Sequence, residues 1–146
     1  MIALFAGSFD PFTRGHQSIV DRVLKNVADE IIVAIGINYV KKNMFPVEER
    51  IRYIEKLYAD NPRVRVVSYT GLTVDCAKSV GADFLVRGVR SVSDFEFERN
   101  IADVNKRLSG IETILLFTEP ELSCVSSSVV RELMSYGKDV SQFLPE

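Results

Sequence analysis

The sequence is poor in the residues that build metal sites and disulfide frameworks. Its 146 residues include one histidine, two cysteines and no tryptophan. A single histidine and two distant cysteines, Cys76 and Cys124, exclude a zinc finger and a multi-histidine centre, so we expect no metal site made of protein ligands. Two cysteines in a chain of this kind are typical of small buried thiols in a reducing compartment, which favours the cytoplasm.

Long apolar runs and a strong excess of one charge are missing as well. No run approaches the roughly 18 apolar residues of a membrane span, and the first residues lack the basic stretch of a secretory signal. We therefore expect a cytoplasmic protein with no membrane partner. The net charge of −2 argues against a nucleic-acid partner, so an anion site must come from locally placed basic residues.

What the sequence does contain is the material of one globular domain. It is 47% hydrophobic and 26% charged, and its length corresponds to a single domain covering residues 1–146. Apolar segments of strand length alternate with segments of helical periodicity. This alternation predicts an α/β fold: a single-domain, Rossmann-like, doubly wound, five-stranded parallel sheet with helices on both faces. The predicted strands are Ile2–Ala6, Glu30–Gly36, Arg63–Ser68, Phe84–Arg87 and Thr113–Phe117.

Several helix ends are also visible in the sequence. Pro46 followed by two acids predicts the first turn of a helix, and Ser93-Asp94-Phe95-Glu96 has the pattern of a capping box. Gly81, Gly110 and Gly137 are predicted to end helices. In a parallel α/β sheet, ligands bind at the carboxyl ends of the strands near a switch in strand order. The residues that follow each strand are therefore the candidates for function.

The connection after the first strand collects three residue types that suit a phosphate site. Gly7 permits a tight turn close to a ligand, and Ser8 supplies a hydroxyl at the strand tip. Gly15 removes a side chain where a helix begins, and His16 falls in the first turn of that helix, where backbone N–H groups attract anions. The alternative is that the lone histidine caps its own helix. The convergence of glycine, hydroxyl and histidine on one loop favours a functional role.

Basic residues follow the second and fourth strands. The pair Lys41-Lys42 is either a solvated loop pair or contains an ammonium group directed at a phosphate. Arg87 and Arg90 flank a glycine at the end of a buried strand. Each is a surface residue, a partner of Glu96 or Glu98, or a bidentate phosphate ligand, and two guanidinium groups beside a glycine favour the last.

Three serines, Ser126–Ser128, stand before a helical apolar stripe that includes Val130. One serine is enough for an ordinary N-cap. Three hydroxyls together with free backbone N–H groups make a second anion site, to which Arg131 adds a charge.

Three phenylalanines could suggest stacking on a nucleic-acid base. We expect Phe45, Phe95 and Phe97 instead to lie in the core or in a subunit contact.

The motifs together are similar to those of one enzyme family. Thr13-Arg14-Gly15-His16 resembles the Thr/His-x-Gly-His signature of the nucleotidyltransferase superfamily. Over essentially its whole length, the chain resembles the bacterial phosphopantetheine adenylyltransferases. Besides this signature, the resemblance rests on the serine segment, on Gly7-Ser8-Phe9-Asp10-Pro11, and on Arg87-Gly88-Val89-Arg90 followed by Asp94-Phe95-Glu96-Phe97-Glu98. The arginine segment with the acidic run behind it is the most specific of these motifs.

The resemblance implies a reaction and its partners. It implies transfer of the adenylyl group of ATP to 4′-phosphopantetheine, giving dephospho-coenzyme A and pyrophosphate, by in-line attack without a covalent intermediate. It also implies Mg²⁺ as cofactor, a homohexamer, and coenzyme A as a feedback inhibitor. The alternatives are a related nucleotidyltransferase with another phosphorylated acceptor, such as nicotinamide mononucleotide or glycerol 3-phosphate, and an ATP-binding regulatory module without turnover.

The resemblance also implies which residues act. The implied catalytic residues are His16, Lys41, Arg87 and Ser8, and the implied phosphopantetheine ligands are Ser8, Lys41, Thr73 and Arg87, although Thr73 has the alternative of capping its helix. The implied ATP ligands are Gly7, Ser8, Phe9, His16, Gly88, Val89, Arg90, Glu98, Leu122, Ser123, Cys124, Val125, Ser126, Ser127 and Ser128.

Overall fold

The computed structural model describes residues 1–146 and contains five strands that alternate with five α-helices. The strands are β1 (Ile2–Gly7), β2 (Glu30–Gly36), β3 (Val64–Tyr69), β4 (Phe84–Val89) and β5 (Thr113–Phe117). The helices are α1 (Arg14–Asn26), α2 (Val47–Leu57), α3 (Thr73–Ser79), α4 (Val92–Ser109) and α5 (Ser127–Ser135), with 3-10 turns at Pro120–Leu122 and Ser141–Phe143. All five predicted strands are present, and β4 continues two residues beyond its predicted end.

The strands form one parallel sheet in the order β3-β2-β1-β4-β5. Ala3 pairs with Ile31 of β2 on one side and with Phe84 of β4 on the other. The chain first builds outward from β1 through β2 to β3, then crosses back to β4 on the opposite side of β1. The strand order therefore reverses between β1 and β4, and a crevice opens there at the carboxyl edge of the sheet.

The core lies on both faces of the sheet. The inner residues of β2, Ile31–Ile35, are all 0% exposed, which is why this strand is apolar without alternation. On one face, Phe5 and Val33 pack with α1 and with Ile54 of α2; on the other, Leu4 and neighbouring residues pack against α3. The predicted doubly wound α/β fold is confirmed.

None of the helices combines the length and apolar character needed to cross a membrane.

The helix ends agree with the sequence in part. Gly110 adopts a left-handed conformation (φ 78°) directly after α4, as predicted for a helix stop. The capping box at Ser93 is wrong: Ser91 is the N-cap of α4, and its hydroxyl accepts from the backbone N–H of Asp94. The two serines are two residues apart, and each is followed three residues later by an acid, Asp94 or Glu96. The capping pattern in the sequence therefore fits both positions. Pro46 lies one position before the first turn of α2, as its N-cap.

The turn after β1 differs from its prediction. Gly7 is not in the left-handed region; instead Phe9 is, with φ 47°. A Cβ atom on Gly7 would lie 3.2 Å from the Phe9 ring, closer than nine in ten real contacts. Gly7 therefore gives room to that ring, which is 2% exposed, and does not serve the turn through a left-handed backbone.

Candidate active site

A cleft of about 380 Å³ opens at the carboxyl ends of β1 and β4. Five parts of the chain form its wall: the β1–α1 connection, the loop between β2 and α2, the end of β4 with the start of α4, the residue after β5, and the start of α5. The cleft thus lies at the reversal of strand order, where an α/β fold places its ligand. Five cationic or imidazole side chains border it: His16, Lys41, Arg87, Arg90 and Arg131.

His16 lies in the first turn of α1 and is held in place by the cap of that helix. The Thr13 hydroxyl caps α1 by accepting from the backbone N–H of His16, while His16 Nδ1 accepts from the backbone N–H of Thr13 at 2.9 Å. The capping alternative is therefore correct as far as Nδ1 is concerned. It also supports the functional role, because an imidazole that accepts at Nδ1 carries its proton on Nε2 and offers it as a donor. The rings of Phe9 and Phe12 pack at centroid distances of 4.9 and 5.3 Å and fix the imidazole plane.

His16 is neutral at physiological pH. Burial, followed by the charges of Arg87 and Arg90, lowers the pKa of His16 from 6.5 to about 3. A neutral imidazole can donate one hydrogen bond to a phosphate oxygen without the cost of burying a further positive charge. Because its pKa is lower in the folded state, protons favour the unfolded chain, so stability falls as the pH drops below about 6.5 toward 3.

The protonation state of His16 gives a direct prediction. We expect the nitrogen resonances of this histidine to show the neutral tautomer with the proton on Nε2, unchanged between about pH 5 and 8. The spectrum is unambiguous because the chain has one histidine, and NMR of protein labelled with ¹⁵N-histidine records it. A titration centred near pH 6.5 in the folded protein would contradict the burial argument.

Arg87 projects from β4 into the cleft wall and is fixed by an acidic partner. Its Nε and Nη2 donate to the two carboxylate oxygens of Glu98 at 2.9 and 2.8 Å, and its Nη1 donates to the carbonyl of Ala6 in β1. The Glu98 side chain is 8% exposed, whereas that of Arg87 is 35% exposed. The guanidinium is thus pre-oriented and retains N–H groups that no protein atom engages, which suits the binding of a phosphate.

The other basic residues differ in how firmly they are held. Arg90 donates through Nε to Asp94 at 3.2 Å, an i,i+4 pair at the start of α4. Lys41 follows β2 as predicted; it lies on the exposed connection 37–46, five residues beyond the end of β2 at Gly36, and lines the cleft. Lys42 is exposed and does not line the cleft, so the solvated alternative applies to this lysine.

The serine segment has a different bond for each hydroxyl. Ser126 is the N-cap of α5, accepting from the backbone N–H of Val129 at 3.2 Å. Ser127 donates to the carbonyl of Pro11 at 2.7 Å, and Ser128 accepts from Arg131 at 3.2 Å. The N-cap alternative is correct for Ser126, Ser127 joins the start of α5 to the β1–α1 connection, and Ser128 bonds within α5. All three line the cleft beside the free N–H groups of the helix terminus.

Most of the predicted site residues meet in the cleft, and a few do not. The lining contains Gly7, Ser8, Phe9, His16, Lys41, Arg87, Gly88, Arg90, Glu98, Val125, Ser126, Ser127 and Ser128. The residues predicted to bind ATP that stand outside the lining are Val89, Leu122, Ser123 and Cys124. Val89 is buried and Ser123 and Cys124 are exposed.

Asp94 and Thr118 also line the cleft, although neither was predicted to be a site residue. Thr118 comes directly after β5, at the carboxyl edge of the sheet, and this position in the sequence could have identified it as a site residue. Asp94 stands four residues after Arg90, the spacing of a helical ion pair, and this spacing could have identified it as the partner of Arg90.

Thr73 belongs to a second cavity. Its hydroxyl is 2.8 Å from the hydroxyl of Tyr69, and Leu72, not Thr73, is the N-cap of α3, so the capping alternative for Thr73 is wrong. The cavity has a volume of about 270 Å³ and shares Arg87 and Glu98 with the cleft. Apolar residues of β1, β4 and α4 form most of its wall. A ligand with a phosphate at Arg87 can therefore extend from the polar cleft into an apolar neighbouring space.

The side chains around the cleft suit a metal ion that binds with a phosphate ligand. The structure contains no cluster of three or more His, Cys, Asp or Glu side chains placed to hold a metal ion. Asp94 and Glu98 are the acidic residues of the cleft lining, and each is paired with an arginine. An ion that is coordinated mainly by phosphate oxygens and water needs no larger acidic cluster.

The fold and the cleft define a class of α/β proteins that bind phosphate-bearing ligands at a switch point. A sequence model of the cytidylyltransferase-like family matches residues 4–133. The phosphopantetheine adenylyltransferase of Bacteroides thetaiotaomicron is 60% identical over 99% of this chain and 95% of its own length. Those of Porphyromonas gingivalis and Flavobacterium psychrophilum are 58% and 51% identical, covering 99% of this chain and 94% and 95% of their own lengths.

The chain therefore belongs to the cytidylyltransferase-like family and, within it, to the phosphopantetheine adenylyltransferases. A match of this extent includes every segment of the cleft wall, from the β1–α1 connection to the start of α5. Nucleotidyltransferase activity generally involves a metal ion.

Proposed function

We propose that this chain transfers the adenylyl group of ATP to 4′-phosphopantetheine, forming dephospho-coenzyme A and pyrophosphate. The observation that carries the proposal is the single cleft that joins His16, Lys41 and Arg87 with the serine segment, in a chain 60% identical to a phosphopantetheine adenylyltransferase. A regulatory ATP-binding module needs a phosphate site but has no need of a second set of cations beside it.

The reaction is an in-line displacement at phosphorus. A phosphate oxygen of 4′-phosphopantetheine forms a bond to the α-phosphorus of ATP, and the bond from that phosphorus to the bridging oxygen of the β-phosphate breaks, releasing pyrophosphate. The nucleophile is already an anion near pH 7, so no general base is required. The work of the protein is positioning and stabilisation of the charge that develops in the transition state.

Each side of the cleft has its own task in this proposal. His16 donates from Nε2 to the oxygens of the α-phosphate, where the charge develops. Lys41, Arg87 and Ser8 orient the attacking phosphate, and the apolar cavity beside Thr73 accepts the pantetheine arm. These assignments follow the distribution of charge, because Arg87 is the basic residue shared by the cleft and the apolar cavity.

ATP occupies the remainder of the cleft. Arg90 and the hydroxyls and N–H groups of Ser126–Ser128 hold its phosphates, while Gly7, Phe9, Gly88 and Val125 contribute to the wall. Glu98 supports the site through Arg87, and its contact with ATP remains a prediction, as do contacts from Val89, Leu122, Ser123 and Cys124. Mg²⁺ is the proposed metal ion, because it binds through phosphate oxygens and retains water ligands.

Pyrophosphate release tests the function. The protein is incubated with Mg²⁺ and ATP, with and without 4′-phosphopantetheine, and the product is identified by mass. Release that depends on phosphopantetheine and yields dephospho-coenzyme A is the expected result. CTP in place of ATP, and nicotinamide mononucleotide or glycerol 3-phosphate in place of phosphopantetheine, are the controls for specificity. ATP binding without release for any acceptor would favour the regulatory alternative.

The proposed assembly is a homohexamer. Apolar side chains of α4 are exposed in the single chain, with Val92 at 76%, Phe97 at 60% and Leu108 at 59%, and Phe117 at the end of β5 is 78% exposed. Exposed apolar residues at this density mark a protein contact surface. Of the two predicted alternatives for Phe97, the core or a subunit contact, its exposure supports the subunit contact.

Light scattering of the purified protein tests the assembly. The expected mass is six times that of the 16.4 kDa chain. Leu108→Glu, which places a charge on the exposed surface of α4, is expected to reduce the mass to that of smaller species. Lys25→Glu, a charge change at an exposed position of α1, serves as the control and is expected to leave the mass unchanged. A monomer mass for the unaltered protein would overturn the proposal.

Regulation and location complete the proposal. Coenzyme A contains both the pantetheine arm and the adenylate of the product, so it fits the same two spaces and is proposed as a feedback inhibitor that competes with both substrates. Competition in the pyrophosphate assay tests this. The proposed location is the cytoplasm, where the two free thiols, Cys76 and Cys124, stay reduced.

A further inference from the structure

Asp10 is a buried carboxylate that the proposed reaction does not use. It lies in the β1–α1 connection and is 0% exposed. Its two carboxylate oxygens accept from the backbone N–H groups of Met44 and Phe45, at 2.8 and 2.9 Å. Both donors belong to the connection 37–46, thirty-four and thirty-five residues away in the chain. Hydrogen bonds to an ionised acceptor are roughly twice as strong as those between neutral groups.

The connection 37–46 has few other attachments. It carries Lys41, and its outer part is exposed, with Tyr39 at 86% and Val40 at 97%. At its start, the backbone N–H of Ile37 donates to the carbonyl of Tyr69 at 2.8 Å. Near its end, besides the two bonds to Asp10, Arg50 of α2 donates through Nε to the carbonyl of Phe45 at 3.0 Å. The part that carries Lys41 therefore lies between one bond at Ile37 and the group of bonds at Met44 and Phe45.

The same group of bonds connects this segment to the ATP side of the cleft. The carbonyl of Asp10 accepts from Nη1 of Arg131 in α5 at 2.8 Å. Arg50 also donates to the carbonyl of Ser8 at 2.7 Å, so Ser8 and Asp10 are both tied to neighbouring elements. Asp10 thus stands between the segment that carries Lys41 and the helix that carries Arg131.

We propose that Asp10 is a positioning residue whose carboxylate holds the connection 37–46 so that Lys41 stands over the cleft beside the acceptor phosphate. It contacts no substrate. The proposal rests on the proposed function for its kinetic consequence, since Lys41 is the group through which Asp10 acts. Its structural consequence, a connection restrained by two hydrogen bonds, is independent of the reaction.

The bonds are tested from both ends. Asp10→Asn replaces one acceptor by an amide that presents hydrogen to a backbone N–H. Met44→Pro removes one donor at an exposed position, with Met44→Ala as the control that keeps the N–H. Asp60→Asn makes the same chemical change at an exposed aspartate and controls for charge. All variants are studied as the full chain.

The kinetic measurement separates positioning from general damage. Asp10→Asn and Met44→Pro are expected to lower kcat/KM for phosphopantetheine about tenfold, the scale of one lost hydrogen bond to a charged group, with ATP affinity changed less than twofold. Met44→Ala and Asp60→Asn are expected to change neither. In a Lys41→Ala background, Asp10→Asn is expected to cause less than a twofold further loss, because the side chain that it positions is gone. Losses that multiply in the double variant would overturn the proposal.

A measurement without substrate keeps the proposal separate from the function. Trypsin cleaves after Lys41 and Lys42, and its rate reports the freedom of the connection. Cleavage at these two sites is expected to be several-fold faster in Asp10→Asn and Met44→Pro than in Met44→Ala, well below the melting temperature of each. Equal rates would overturn the positioning role. Failure of the unaltered protein to release pyrophosphate would instead overturn the function and leave this result intact.

Discussion

His16→Ala is expected to lower kcat by about 10²–10³-fold with a small change in the KM for ATP. The neutral imidazole offers one hydrogen-bond donor, at Nε2, and removing one preorganised donor to a developing charge costs on this scale. A loss in kcat with little change in KM is typical of an interaction made mainly in the transition state. Steady-state pyrophosphate release measures both constants, and a kcat within threefold of that of the unaltered enzyme would contradict the role of His16.

The histidine also has a structural task, and His16→Gln separates the two. Glutamine three residues after Thr13 retains a capping box, because its side-chain oxygen can accept from the Thr13 N–H as Nδ1 does. The expected melting temperature of His16→Gln is that of the unaltered protein. Its kcat is expected to be at least tenfold lower than that of the unaltered enzyme. The amide N–H does not coincide with Nε2, and a misplacement of about 1 Å lowers the rate on the order of 10²-fold.

Arg87→Ala is expected to damage both activity and stability. It removes the guanidinium proposed to orient the acceptor phosphate, and kcat/KM for phosphopantetheine is expected to fall about 10²-fold while ATP affinity changes little. It also leaves the buried Glu98 carboxylate without its partner. The expected loss in the free energy of unfolding is about 3 kcal/mol, at the low end for a broken buried pair because a third of the Arg87 side chain is exposed.

The double variant Arg87→Ala/Glu98→Gln distinguishes these two effects. A neutral amide removes the uncompensated charge, so most of the lost stability is expected to return, as measured by urea denaturation. Phosphopantetheine-dependent activity is expected to remain low, because no guanidinium is restored. Recovery of activity together with stability would show that Arg87 serves the fold alone. If Arg87→Ala weakened ATP binding as much as phosphopantetheine binding, the assignment of Arg87 to the acceptor phosphate would be wrong.

The sequence predicted the elements well and their ends less well. Apolar runs such as that of β2 identify buried strands because a strand covered on both faces has no polar side to alternate with. The cap of α4 was placed at Ser93 and not at Ser91 because two serines with acceptable neighbours stand two residues apart, and only the backbone conformation chooses between them. The reason for Gly7 was also wrong, since it depends on a ring two residues away that folds back over the strand end.

Candidate site residues could be predicted because their types are chemically specific. Histidine, arginine and clustered serines after strand ends indicate phosphate binding, and the carboxyl edge of a parallel sheet brings such residues together. The role of Glu98 as the partner of Arg87 remained one alternative among several, because helical spacing also allowed Glu96. The position of Lys41 was harder to predict, since a connection of ten residues has no periodicity from which its path follows.

The sequence by itself determined the α/β class, the strands, and which residue types stand at the carboxyl edge, because those depend on local periodicity and chemical identity. Only the tertiary structure decided the strand order β3-β2-β1-β4-β5 and therefore which edge residues share a cleft. It also decided the ionisation of His16, the pairing of Arg87 with Glu98, and the contact of Asp10 with the Lys41 connection. Each of these depends on groups from different strands, helices or connections that come together only when the chain has folded.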